Sequence, residues 1–271
     1  MTKAIVDEAR AHGFQVLISH TDEAIEVERQ AVDTLLQKQV DGLIVVPSAV
    51  AVFDHLSPAH LADTPVVLID RNVEGVRLTS ITTDDFLSCD AAVRAAHKNG
   101  HKNFGFLIAA PNLKGFSSER PAKMISSVEE RINGFANAAI DINAKAKHTW
   151  IFSADDPAAS KAAVESLLDQ PKPPTIIFTS NNGMALAVLK VVRQRGLRIG
   201  VDISLVTVDD STLAQSMEPG LSVISRPVEE VGTMAVTKLI AEMKSGAKPG
   251  EKIVLPTEFI QRGSMRNLKA K

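Results

Sequence analysis

The 271 residues carry 30 Lys and Arg against 32 Asp and Glu, a formal net charge of −2 that offers no overall basic field for holding nucleic acid. Hydrophobic residues make up 45% of the chain, enough for a sizeable core, yet no uninterrupted apolar run reaches the length that spans a membrane. The single cysteine, Cys89, excludes an internal disulfide and any site of several thiolates, and reads as a small buried hydrophobe in a helical run.

Residues 3–12 predict an amphipathic helix with charges throughout. It lacks the basic region and apolar stretch of a secretion signal, so the chain as written is expected in the cytoplasm. Phe14–Ser19 predicts a strand and Glu23–Gln39 a helix with Ala31 and Leu35 on its apolar stripe. Leu43–Val46 predicts a strand, Ala49–Leu61 a helix and Val66–Ile69 a strand, and a helix over 86–99 stops at Gly100. Strands follow at Phe104–Ile108, Trp150–Phe152, Ile176–Phe178, Leu205–Val208 and Val223–Ile224. Helices over 128–140, 157–169, 183–195 and 228–244 complete the pattern. Short continuous apolar strands alternating with helices predict an α/β chain with doubly wound parallel sheets covered on both faces.

The stretch from 175 to 210 is the most informative. A short strand runs into the polar loop Asn181, Asn182, Gly183, and the helix that follows ends at Gly196, where a left-handed cap needs glycine. A second strand then ends in Asp209 and Asp210. Ligands of open parallel sheets bind beyond the carboxyl ends of the strands, and both polar clusters fall there.

Enzymatic constellations are missing. No phosphate loop, dinucleotide fingerprint, zinc-protease helix or nucleophile elbow occurs. The seven histidines, at 12, 20, 55, 60, 97, 101 and 148, form no metal-ligand spacing with one another or with Cys89. No catalytic residue, metal site or cofactor is therefore expected. His101, after Asn99 and Gly100, reads as shaping a helix end.

Several segments occur in an order that resembles the LacI/GalR family of bacterial transcription regulators. They are Asp41-Gly-Leu-Ile-Val-Val-Pro-Ser, Thr64-Pro-Val-Val-Leu-Ile-Asp-Arg, Gly100-His-Lys-Asn-Phe-Gly-Phe, Arg131-Ile-Asn-Gly-Phe, the 175–210 stretch and Phe259-Ile-Gln-Arg-Gly-Ser. The resemblance implies a periplasmic-binding-protein-like fold of two lobes around a ligand cleft. Lobe one would take 1–99 and 227–255, and lobe two 100–226 and 256–271. It also implies a small-molecule effector such as a sugar or sugar acid, a homodimer, and contact with DNA only through an upstream helix-turn-helix module that these residues do not include. Family members carry a first, central strand ahead of the opening helix, so one strand of lobe one is expected to be missing from 1–271. The alternative on the same fold is a solute-binding protein of a sugar import system; the absent secretion signal weighs against it.

By resemblance, Arg131 forks onto ligand hydroxyls or carboxylate, a geometry its planar guanidinium suits; the bland reading is a solvated helical arginine. Asn181 matches the ligand-facing Asn, while Asn182 replaces the usual Asp. Asp209 can accept hydroxyl donors, with capping of the next helix, by Asp210, as the alternative. Phe152 falls where the family places an aromatic that stacks on the ligand, and equally suits plain core. Arg226 departs from the neutral residue usual at that place. If it faces the ligand beside Arg131, an anionic effector is expected; otherwise it pairs with Asp209 or Asp210. Arg262, Arg266, Lys269 and Lys271 read as a solvated basic tail.

Overall fold

The computed structural model describes residues 1–48, 53–73, 75–110, 113–142, 147–154, 156–246 and 250–270. They form two compact units, each built on its own sheet. The first comprises Met1–Asp84, Ile125–Ser127 and Pro227–Pro256; the second comprises Asp85–Met124, Val128–Arg226 and Thr257–Lys271.

In the first unit, β1 (Leu43–Val45), β2 (Val66–Ile69), β3 (Thr79–Asp84) and β10 (Lys252–Pro256) form a parallel sheet in the order β1-β2-β3-β10. Alternation along β2 divides its side chains between two apolar layers. Val66 and Leu68 join Leu43, Val45 and Val32, the last from α2 (Ile25–Gln37). Val67 and Ile69 face Val231, Ala235 and Leu239 of α9 (Val228–Ser245). On that face α1 (Thr2–Ala11) also packs, through Ile5 and Ala9 against Val236 and Ile240. Glu28 of α2 is buried, and its carboxylate accepts the Ser48 N–H at 2.6 Å and lies 2.7 Å from His55 Nε2.

Two expectations fail here. Phe14–Ser19 is not a strand. Its apolar residues can border a core without pairing, because ladder bonds need a neighbouring edge. The helix expected over Ala49–Leu61 is a 3-10 turn at Asp54–Leu56 and α3 (Pro58–Leu61), divided at Ser57 before Pro58; residues 49–52 lie outside the described residues. Strand β3 was not foreseen: Thr-Ser-Ile-Thr-Thr-Asp has no apolar run, yet its first five residues are buried. Thr79 satisfies its hydroxyl by donating to Glu242 of α9.

The second unit holds α4 (Asp85–Lys98), β4 (Asn103–Ala109), β5 (Phe116–Ser117), α5 (Ser126–Ile142), β6 (Lys147–Ser153), α6 (Pro157–Leu168), β7 (Ile176–Thr179), α7 (Asn182–Gln194), β8 (Ser204–Val208), α8 (Thr212–Ser216), β9 (Ser222–Ser225) and β11 (Glu258–Ile260). Its sheet runs β11-β9-β8-β7-β4-β6-β5, parallel except at the two outer pairs. Leu107 and Ala109 of β4 face a core shared with α6 and α7. Phe106 turns the other way, stacking on Trp150 at 4.1 Å and on Phe178 at 5.4 Å, with Phe135 of α5 5.4 Å from it. Helix α4, expected in lobe one, belongs to this unit. A Cβ on Gly134 of α5 would collide with the Phe86 carbonyl and Cys89, so bare glycine lets the two helices meet.

Candidate functional site

Because β4, β6, β7, β8 and β9 run parallel, their carboxyl ends share one edge of the second unit's sheet. Arg131, Asn181, Asp209 and Arg226 all belong to this unit, and the last three directly follow or flank those strand ends.

Helix α5 buries Val128, Ile132, Phe135, Ala138 and Ala139 at helical spacing, and Arg131 lies on the same stripe, 5% exposed. The solvated-helix alternative is therefore excluded. Its Nε donates to Asp85 Oδ2 at 2.5 Å and its Nη1 to the Ser180 carbonyl at 2.7 Å. Asp85 is fully buried at the start of α4. Ser180, just past β7, also accepts the Ala109 N–H on its hydroxyl at 2.7 Å, which ties the ends of β4 and β7 together. These two bonds use two of Arg131's five N–H groups.

Asn181 is the N-cap of α7, its side-chain oxygen accepting the Met184 N–H at 2.9 Å. Its carbonyl accepts the Thr207 hydroxyl of β8 at 3.3 Å. Asn182 is then the first helical residue, where a carboxylate would favour the helix dipole and an amide does so less.

Asp209 leaves β8 with φ +72°, a left-handed conformation that Asp tolerates better than most side chains, and donates its N–H to the Ile224 carbonyl at 2.9 Å. Its carboxylate receives Arg226 as a fork, Nε to Oδ1 at 2.7 Å and Nη2 to Oδ2 at 3.0 Å. Of the two readings for Arg226, the structure holds the ion pair. Asp210 does not cap α8. Ser211 does, accepting the Ala214 N–H, while Asp210 receives a second fork from Arg262 at 2.6 and 2.7 Å. Those hydrogen bonds hold the Asp210 carboxyl below the ordinary carboxylate range.

Phe152 is 2% exposed and sits in β6 between Ile108 and Ser117 of the adjoining strands, a core position. The basic tail is anchored as far as Leu268, with Arg262 and Arg266 half-buried, while Lys269 is exposed. Ser264 is buried, accepting the Ser222 N–H and donating to the Leu205 carbonyl, and the Leu268 N–H reaches the Asn99 carbonyl at 2.7 Å. Lys271 lies outside the described residues. His101 is fully buried, Nδ1 2.8 Å from the Thr175 hydroxyl and Nε2 3.2 Å from the Arg266 carbonyl; burial lowers its pKa to about 4.

Sequence reasoning missed Asp85, Ser180 and Arg262. Asp85 stands 46 positions from its partner, and nothing local marks it except the Asp84-Asp85 pair before a helix. No group of His, Cys, Asp and Glu suited to a metal ion occurs among the described residues, and no helix among them is long and apolar enough to cross a membrane.

The family described as the periplasmic binding protein-like domain matches residues 93–265. The probable HTH-type transcriptional repressor ExuR of Bacillus subtilis is 27% identical over 237 residues, 87% of this chain and 68% of that protein. The HTH-type transcriptional repressor CytR of Escherichia coli is 28% identical over 261 residues, 96% of this chain and 73% of that protein. Among solved structures, a LacI family transcriptional regulator from Enterococcus faecium with bound ribose superposes with a TM-score of 0.81 at 22% identity, covering 99% of this chain and 93% of that one. With its parallel α/β sheets and its repressor homologues, this chain belongs to the periplasmic binding protein-like family, as the effector-binding core of the LacI type.

Proposed function

We propose that the carboxyl edge of the second unit's sheet binds a small, uncharged, hydroxyl-rich molecule, a sugar or close derivative. Such binding would make the chain the sensing core of a homodimeric transcriptional regulator and not an enzyme. The observation that carries the reading is charge balance. Each arginine there has its own carboxylate: Arg131 with Asp85, Arg226 with Asp209, Arg262 with Asp210. An anionic ligand would have to displace one of these carboxylates. A neutral polyol needs only donors and acceptors, which the Asp209–Arg226 pair, Asn181 and the remaining Arg131 N–H groups supply. An anionic effector is expected only if Arg226 faces the ligand beside Arg131, and its fork onto Asp209 is the other of those two readings. The relatives' repressor names and the bound ribose of the Enterococcus regulator support sugar sensing by a regulator. The ligand acts by its differential affinity for two states of the protein.

Calorimetry with a panel of neutral pentoses and hexoses, their aldonic acids and their phosphates tests this. Neutral sugars should bind, and Asp209→Asn should weaken them at least tenfold, as losing one charge-assisted bond costs about 1.5–3 kcal/mol. Tighter binding of the acids or phosphates, or no binding of any sugar, overturns it.

A further inference from the structure

Strands β7, β4 and β6 are neighbours and parallel, so their amino ends share the edge of the second unit's sheet opposite the polar site. Lysines from four separate segments meet there. Lys102 precedes β4, Lys147 opens β6 and Lys172 stands in the loop before β7. Adjacent strands lie about 4.8 Å apart, which keeps these backbones close. The Lys147 N–H donates to the Lys102 carbonyl at 3.0 Å, and the Asn103 side-chain amide donates to the carbonyls of Lys172 and Pro173 at 2.8 and 2.7 Å. Lys98 ends α4. The anchored tail adds Lys269. Its neighbour Leu268 is held by the Asn99 carbonyl, and a Cβ on Gly100 would lie 3.1 Å from Lys269 Cγ, so the Lys269 stem crosses Gly100 between Lys98 and Lys102.

All five lysines are exposed. Lys147 Nζ donates to the neutral Gln170 Oε1 at 2.9 Å, and among the described residues none of the five ammonium groups meets a carboxylate. The aspartates that precede β6, β7 and β8 cannot neutralise them. Asp141 is taken by Arg94, Asp169 by Arg195 and Asp202 by Arg198. A helix macrodipole accounts for Lys98, in the last turn of α4, but its effect fades within that turn. The other four lysines lie in loops or at a strand start. Like charges gathered this closely repel one another in the free chain, and a bound anion removes that repulsion.

We propose that this lysine-rich edge is a docking surface for a short Asp- and Glu-rich segment of a partner protein. Complementary charge is the recognition, and the packed tail is what completes the surface by fixing Lys269 in it. An acidic peptide fits better than a nucleic acid. The segments 98–102, 169–175 and 262–270 contain no Phe, Tyr or Trp on which bases could stack. Arg195 and Arg198, whose forks would suit phosphate, are held by their aspartates. A chain of net charge −2 also gives a long polyanion nothing to follow beyond the patch, whereas a short acidic segment stays within it.

The test is calorimetry of the full chain with the capped peptide acetyl-Asp-Glu-Asp-Glu-Asp-Glu-Asp-amide. It is run at ionic strengths of about 0.01 M and about 0.15 M, where exposed charges are screened beyond about 30 Å and about 8 Å. The peptide should bind at the lower ionic strength and weaken at the higher. Lys102→Glu with Lys172→Glu should weaken binding roughly tenfold or more, and Lys269→Glu should act in the same direction. Because all three positions are exposed, thermal unfolding of the free variants should be unchanged. Lys38→Glu with Lys244→Glu makes the same change of net charge on the first unit and should leave binding as it is. No binding at millimolar peptide overturns the proposal. So does an equal loss in the Lys38 and Lys244 variant, which would mean diffuse attraction to the whole chain. Tighter binding of a single-stranded oligonucleotide of equal charge, lost on changing Lys102 and Lys172, also overturns it and assigns the surface to nucleic acid.

Discussion

Arg131 and Asp85 show how far one residue's role depends on its partner. Both are buried, and the guanidinium is the carboxylate's charge balance. Arg131→Ala should lower stability by about 3–5 kcal/mol, since it strips the cation from a buried carboxylate, and the double change with Asp85→Ala should recover a large part of that loss. Urea unfolding of the three variants checks this; an unchanged single variant would mean that water already reaches Asp85. His101 gives a pH prediction. Its folded pKa, near 4, lies below the ordinary 6.5 because burial disfavours the imidazolium. The unfolded chain therefore takes up a proton that the native chain refuses. The stability His101 contributes is present in full above about pH 6.5 and falls as pH drops from there through about 4. Thermal unfolding of the native chain and a His101→Gln variant should show a shallower decline for the variant over that window.

At the scale of elements, the longer helices were legible because their starts and stops are written locally. Asp156 precedes Pro157 and caps α6, accepting the N–H groups of Ala158 and Ala159, each at 2.9 Å. Asp156→Ala should cost about 1 kcal/mol, read as a lower urea midpoint with an unchanged slope. Apolar strands such as Val66–Ile69 were equally legible from composition. Strand β3 was not, since Thr and Ser at buried positions look polar until Glu242, 163 positions away, is placed beside Thr79. Phe14–Ser19 fails the opposite way: β-forming composition does not supply a pairing edge.

For the whole molecule, a net charge of −2 offers no overall basic field for phosphate contacts, and residues 1–271 by themselves should give no sequence-specific mobility shift with operator-like DNA at physiological salt. A shift that resists competitor DNA would refute this. Closed two-fold dimers are the common state of soluble oligomers, and dimerisation is expected at micromolar concentration. Sedimentation giving only monomer would count against it.

The sequence by itself determined the α/β class, the order of nearly all helices and apolar strands, the family and the edge at which the polar residues gather. All of these rest on period, caps and short motifs, which are local. Only the tertiary structure decided that Arg131 is buried against Asp85, that Arg226 and Arg262 each fork onto their own aspartate, that Phe152 is core, and that α4 packs with the second unit. These depend on residues tens of positions apart meeting in space. Pairing of charges also removes the positive surplus that would follow if Arg226 faced a ligand beside Arg131: both arginines are, once folded, halves of neutral pairs.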